Sequence, residues 1–523
     1  MKAAALLWLA LAGVARGQEV DGGEGEVDAG QPAAIEPFEP VESFQPVSAA
    51  PAVADAGTPP APDRGPRLTR AWVELSSFAG VDTWFDAPEA GGTAEDILEG
   101  RVRAVAGADL RFGDGPRMVL EAKARWRGLA QAGFARARGD VEARLGDAFV
   151  DFYGRWADLR LGWQRIPLGA SAVMAPEDAL NPRDLRDGFV PRGSDPEAPV
   201  LTVPAVRAQG ELGPWRWLLA YVPFFEPHRY AVFGEDQALL QPAAGVSLPF
   251  EVDPSIQAGL QDHLLETARP PASGLSGDVA ARLQVELGRG HAGAGWLWGT
   301  EKIPQVQVDP ELAAALKAQS LGRAVDPAIL LSLQNRLAAG EPLFRGTYAR
   351  QHVLWLEGSA LVGPVQLDLD LAYSPARTFG TDALATLRLP CVTWVVGASP
   401  AEDSRWVYSA TYLGMAVPGV PAGDLLFLFE PPTARGAPRT AWFHLVVLAG
   451  TRRFLDDKLE VGGALAFEVV QQSFLFSPQV SYEVAPGWRL GLGVERYTGP
   501  PASPFGYFDR NDRVTVSAVW QPR

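Results

Sequence analysis

Five histidines, His228, His263, His291, His352 and His444, are the material from which this chain would have to build a hydrolase or a metal centre. No two stand at a spacing that puts ligands on one strand or helix turn, and no Gly-x-Ser-x-Gly occurs. His263, near Asp262 and Glu266, is the best single catalytic candidate, but an exposed loop histidine without a role is the favoured reading. Cys391 is the sole cysteine, so it forms no internal disulfide and reads as a small buried residue. No enzymatic activity is expected. Carboxylates are more plentiful. Asp82, Asp86, Glu89, Glu95 and Asp96 crowd one link, and Glu177, Asp178, Asp184, Asp187, Asp195 and Glu197 another. Ca²⁺ takes about six to eight oxygens and could use such loops. EF-hand spacing is absent, so these acids read as solubilising, and no metal ligand or cofactor is expected.

Charges in rows hold the remaining chemistry. Arg101, Arg103, Lys123, Arg125, Arg127, Arg144 and Arg160 form a basic wall, and Asp368 and Asp370 an acidic row far along the chain. Facing rows of opposite sign across a wet lumen would set a transverse field that orients polar solutes. Salt-bridge ladders with acids such as Glu121, Glu142, Asp151 and Asp158 are the alternative.

Each row is one face of a period-two alternation. "VQLDLDLAY" (365–373) sets Val365, Leu367, Leu369, Leu371 and Tyr373 against Gln366, Asp368 and Asp370. "MVLEAKARWRG" sets Met118, Leu120, Ala122, Ala124 and Trp126 against Glu121, Lys123, Arg125 and Arg127. The pattern persists from Thr69 to the C-terminus and resolves into about eighteen strands, sixteen being the alternative. Short links such as 113–115, 212–214, 288–290, 362–364 and 485–487 alternate with long ones such as 168–198, 226–274, 301–344 and 499–510. One link breaks the rule, near Gln471–Ser473, short where it should be long. Short turns on one rim and long loops on the other describe a meandering antiparallel barrel in an outer membrane.

Alternation alone does not separate that barrel from a soluble sandwich. Three features favour the barrel, whose apolar side faces lipid. The charged faces are crowded. Trp84, Trp126, Trp156, Trp215, Trp296, Trp298, Tyr348, Trp442, Trp488 and Trp520 gather near strand ends, as in an interfacial aromatic girdle. The strands are also longer than soluble ones usually are. Residues 1–17 read as an export signal, with Lys2, an apolar stretch and a small-residue cleavage site. Residues 18–68 read as a disordered acidic Pro/Ala-rich tether, and 69–523 as the barrel. A helical loop is expected at 309–339, where "DPELAAALKAQS" and "DPAILLSLQNRLAAG" each begin with Asp as N-cap and Pro behind it. A net charge of −16 argues against nucleic acid as a partner.

"LRLGWQRIPLG" (159–169) with "EDALNPRDLRDG" (177–188) resembles a segment of Gram-negative outer-membrane porins, closest to an uncharacterised group related to alginate-export-type barrels. The matching residues are Gly162, Gln164, Gly169, Asn181, Pro182 and Asp184. The resemblance implies a porin-like barrel in the cell outer membrane, and the charged rows of its lumen suggest a channel, passive or substrate-selective, for small polar or anionic solutes. Its partners are then outer-membrane lipid, the barrel-assembly machinery and the solutes, with a homotrimer admitted. An adhesion or binding protein working through its long loops is the alternative.

Overall fold

The computed structural model describes residues 66–82, 97–131, 136–171, 175–177, 179–186, 200–230, 265–270, 277–320, 323–382, 385–400, 406–434 and 436–522. The export signal, most of the tether, His263 and Trp84 lie outside the described residues. The strands are β1 (Pro66–Asp82), β2 (Ile97–Phe112), β3 (Arg117–Gln131), β4 (Arg136–Tyr153), β5 (Asp158–Gln164), β6 (Val203–Leu212) and β7 (Trp215–Val222). There follow β8 (Leu265–Ala268), β9 (Asp278–Glu286), β10 (Gly290–Thr300), β11 (Gln305–Val308), β12 (Phe344–Thr347), β13 (Arg350–Val362) and β14 (Val365–Gly380). The chain closes with β15 (Thr386–Pro400), β16 (Trp406–Val420), β17 (Arg439–Phe454), β18 (Leu459–Glu468), β19 (Ser473–Ala485), β20 (Trp488–Thr498) and β21 (Arg513–Trp520).

All but β8, β11 and β12 join one 18-stranded antiparallel sheet, in which each strand pairs with its neighbours along the chain. β1 pairs with both β2 and β21, so the sheet closes on itself and has no edge. The alternation resolves as a polarity inversion. On β14, Leu369 is 52% exposed while Asp370, beside it, is fully buried. Leu75, Val102, Leu120, Leu219, Leu283, Leu356, Leu492 and Val516 continue the exposed apolar belt around the outside. An apolar belt on a closed barrel is a lipid-facing surface. Trp126, Trp156, Trp215, Trp296, Trp442 and Trp488 are exposed within it. Among the described residues, no helix is long and apolar enough to cross a membrane.

Both ends of the sheet fall on the short-turn rim, where Pro66 of β1 sits across from Phe112 and Trp520 from Trp488. β1 starts at Pro66, a few residues ahead of the expected start at Thr69, because its first residues extend along β2. The irregular link is real. Between β18 and β19, buried Glu468 accepts from the backbone N–H groups of Val470 and Gln471, both at 2.8 Å, closing a tight turn.

Two helices, α1 (Pro310–Ser320) and α2 (Pro327–Ala338), form in the β10–β13 connection. Asp326 accepts from the Ala328 N–H at 2.8 Å, and Asp309 from the Glu311 N–H at 3.0 Å, so both acids cap as their position before proline suggests. Leu312, Leu316 and Leu333 bury against Leu343 and Phe344, with Ile329 and Leu337 at their edge. β8, β11 and β12 form a separate small sheet that ties this connection to the β7–β9 one.

Placing Lys at Leu356, mid-strand and facing outward, destabilises the fold in a bilayer by ~2–4 kcal/mol; at Val362, beside the turn, the cost is about 0–1 kcal/mol. Equal penalties in liposome refolding titrations contradict the lipid-facing assignment.

Candidate functional site: a loop strapped across the barrel interior

The chain leaving β5 does not return directly to β6. Gln164, fully buried, donates from Nε2 to the Ala205 carbonyl at 3.1 Å and holds the exit in place. Ile166, Leu168 and Leu180 then pack on a dry patch of the inner wall made by Val203, Ala205, Leu218, Ala220, Leu297, Val353 and Trp355. The interior is therefore not uniformly wet, as the charged faces alone suggested. Where the loop lies, inward positions are apolar or small.

The loop reaches a remote strand. The N–H groups of Ala170 and Ser171 donate to the two carboxylate oxygens of Asp370 on β14, at 2.8 and 2.7 Å. Asn181 folds it back, accepting from the Ile166 N–H and donating to the Ile166 carbonyl at 2.9 Å. The Leu201 N–H then bonds to the Pro182 carbonyl at 2.8 Å. Beyond the turn the loop grips the opposite flank. Asp184 meets Arg125 of β3 at 3.4 Å, and Arg186 meets Asp184 at 2.6 Å and Glu142 of β4 at 2.9 Å. Glu142 also pairs with Arg229.

Of the six motif residues, Gly162 and Gln164 end β5, and Gly169, Asn181, Pro182 and Asp184 lie in the strap. Gly162 and Gly169 both have positive φ, and a Cβ on Gly169 would lie 1.8 Å from a Glu177 carboxyl oxygen. Only glycine allows that approach. The basic wall also faces inward, but as paired charge. Arg101 bonds to Glu99 at 2.7 Å, Arg127 to Glu99 at 2.9 Å and Arg160 to Asp151 at 2.6 Å. Lys123 lies 3.3 Å from Glu121, and Arg103 pairs with Glu74. Arg144, also on the inward face of β4, is engaged too. Arg513 of β21 joins Glu99 at 3.1 Å and Glu495 of β20 at 2.7 Å, so one buried network crosses the seam where the ring closes. Asp368 is buried and accepts from Gln366 at 3.1 Å.

Sequence reasoning missed Glu74, Glu99 and Glu357. Each sits at the inward phase of its strand, so extending the alternation on β1, β2 and β13 finds them. Glu177, read as a solubilising loop acid, is instead fully buried. Burial, and then the Asp370 carboxylate, push its carboxyl above the usual range.

Among the described histidines, His228 accepts the Arg183 backbone N–H at Nδ1, 2.8 Å away, and so links the strap to the next loop. His444 bonds and stacks with Tyr412, and His352 stacks beside Trp296. Desolvation of the His228 ring, then the charges of Arg183, Lys302 and Arg377, lower its pKa from 6.5 to about 3. A depressed folded-state value means the histidine's contribution is complete above the unfolded value and is lost as pH falls from 6.5 toward 3. Melting temperature in detergent therefore drops across that window, and His228→Gln flattens the drop. Identical pH slopes for the two proteins contradict this role.

No family model matches the chain, and none of the curated proteins matches it. Among solved structures, it is similar to Salmonella typhi OmpF in complex with daunomycin, at 9% identity and TM-score 0.40, over 86% of this chain and 97% of that one. Pseudomonas aeruginosa OccK8 (OprE) is similar at 8% identity and TM-score 0.43, over 86% and 97%. Pseudomonas aeruginosa OpdL is similar at 10% identity and TM-score 0.41, again over 86% and 97%. At this level of identity and overlap the likeness decides nothing about what the chain does.

Proposed function

We propose that the protein is an outer-membrane channel through which small polar solutes, anions among them, diffuse past a loop-narrowed interior. The observation that carries this reading is the inverted, closed ring of 18 strands. It keeps lipid outside, lines the inside of β20, β21 and β1–β4 with paired charges, and holds a strap at two separated places on the wall. Paired charges in a low-dielectric wall present alternating donors and acceptors, which favour solutes able to exchange water for such contacts. The sequence pattern of an export signal supports outer-membrane placement, as does the lipid-facing belt.

The segment that resembles one of outer-membrane porins supports a strapped interior, since most of its residues build the strap. Substrate selectivity, insertion by the barrel-assembly machinery and a homotrimer belong to the same proposal. A channel is preferred to an enzyme because Gln164, Asn181 and Asp184 are spent on holding the strap in place, and His228, His352 and His444 are engaged structurally. The α1–α2 connection is proposed as a cap over the mouth, supported by its ties to neighbouring loops. Lys317 of α1 lies 3.4 Å from Asp424, and the Val306 N–H donates to Thr386 at 2.9 Å.

Purified protein in planar bilayers gives discrete conductance steps. Arg125→Glu, which also repels Asp184 in the strap, shifts the reversal potential toward cation preference. Absence of any conductance removes the channel assignment, and an unchanged reversal potential removes the role given to this wall.

A further inference from the structure

Three carboxylates from three separate parts of the chain converge where the strap meets the wall. Glu177 comes from the strap, Glu357 from β13 and Asp370 from β14. All are buried, and one oxygen from each lies within 4.8 Å of the others. Two of them are held by fixed donors. Asp370 accepts from the Ala170 and Ser171 N–H groups, and Glu357 accepts from Gln284 Nε2 at 2.5 Å and from Trp355 Nε1 at 3.1 Å. Glu177 differs. It is 0% exposed, and its carboxyl meets the Asp370 carboxylate, itself an acceptor, while no donor from another described residue reaches either of its oxygens. Among the described residues, Arg282 is the cation paired with the trio, its Nε 3.9 Å from Glu357 and without a hydrogen bond.

Held ionised, buried carboxylates at this density are strongly unfavourable unless a positive partner neutralises them. One guanidinium at the edge of the trio does not neutralise three carboxylates. A single shared proton would satisfy one oxygen and leave the other Glu177 oxygen bare. A divalent ion answers both deficits, because it supplies two charges and accepts several oxygens at once. The donors on Asp370 and Glu357 fit such a site, since ligating carboxylates are commonly oriented by hydrogen bonds from behind. Room has been left as well. Gly169 admits the Glu177 carboxyl, and a Cβ on Gly293 would come within 2.9 Å of a Glu357 oxygen.

We infer that Glu177, Glu357 and Asp370 form a site for a hard divalent cation of the Ca²⁺ class, which pins the strap to the β13–β14 wall. Their oxygens, within 4.8 Å of one another, can be bridged by an ion with bonds of ~2.3–2.6 Å. Carboxylate oxygens without imidazole or thiolate favour Ca²⁺ over softer transition ions. The ion would link the chain leaving β5 to strands far around the ring, and removing it would free the strap at that end.

Tb³⁺ is a suitable probe, because the Trp355 indole sits against Glu357 and can sensitise its emission. Full-length protein in detergent is titrated with Tb³⁺ under tryptophan excitation, and Ca²⁺ is then added as competitor. The expected result is saturable emission that Ca²⁺ displaces, with affinity at least tenfold weaker in Glu177→Gln and in Asp370→Asn. Trp355→Phe removes the sensitiser together with one of the two N–H donors on Glu357, so emission is lost and calorimetric Ca²⁺ affinity falls but is retained; emission that persists in Trp355→Phe places the bound ion elsewhere and overturns the site, which covers the case of a carboxylate variant that does not fold. Absence of Ca²⁺-displaceable binding overturns the site, and so does a folded Glu177→Gln that binds as tightly as the unaltered protein. Binding is read without reference to conductance, so its failure is separate from failure of the channel reading.

Discussion

In hydrocarbon, no water is available to a backbone N–H or C=O, so a sheet that enters a bilayer must leave none unpaired. Here the pairing of β1 with β21 meets that condition. Other features follow from it. An even number of strands returns both ends to one rim. Closure gives each strand one face to lipid and one to the interior, so a period of two in the sequence becomes a radial change of polarity. The seam is reinforced from inside, where Arg513 bridges Glu495 and Glu99, and Glu99 holds Arg101 and Arg127. Four strands on both sides of the closure thereby share one buried ionic network. Removing one partner from such a network is costly, because the remaining charges stay buried without compensation.

Closure also explains how the strap can exist. β5 and β14 are remote in sequence and lie well apart around the ring, yet the interior gives the chain after β5 a direct path to Asp370. Its other end turns toward Arg125 and Glu142, so the segment is held at two separated places on the wall. Between them, Ile166, Leu168 and Leu180 exclude water against Leu218, Val353 and Trp355. That apolar patch sets this flank apart from the ionic lining of β20, β21 and β1–β4. Further inward packing occurs around Phe505, Tyr507 and Phe508, which bury against Val447, Leu475 and Tyr497.

The strands were legible because lipid exposure imposes a strict alternation, and runs such as 117–128 and 365–373 carry it without interruption. The helices at 310–320 and 327–338 were legible from Asp-Pro starts and leucine spacing. The strap's residues could be named, Gln164, Gly169 and Asn181 among them, but not where the segment goes. Its path depends on contacts with strands hundreds of residues away, such as Ala170 with Asp370, and no local periodicity encodes them. The pairing of the basic wall was equally hidden. Arg127 and Glu99 become partners through the register of β2 with β3, which is set by the whole sheet. Trp355 points inward although tryptophans in such patterns suggest the lipid interface, because the strap offers it an apolar place to pack.

The central claim is that the oily face of each strand meets lipid while its partner face meets the interior. Nitroxide labels placed singly from Val365 to Ser374 in reconstituted protein test it most directly, by collision with oxygen, which concentrates in lipid, and with a water-soluble nickel chelate. Oxygen collisions should peak at Leu367, Leu369, Leu371 and Tyr373 and fall at the positions between, with the nickel chelate weak at those four. Nickel collisions strongest at those four, or no two-residue period with either reagent, would contradict the account.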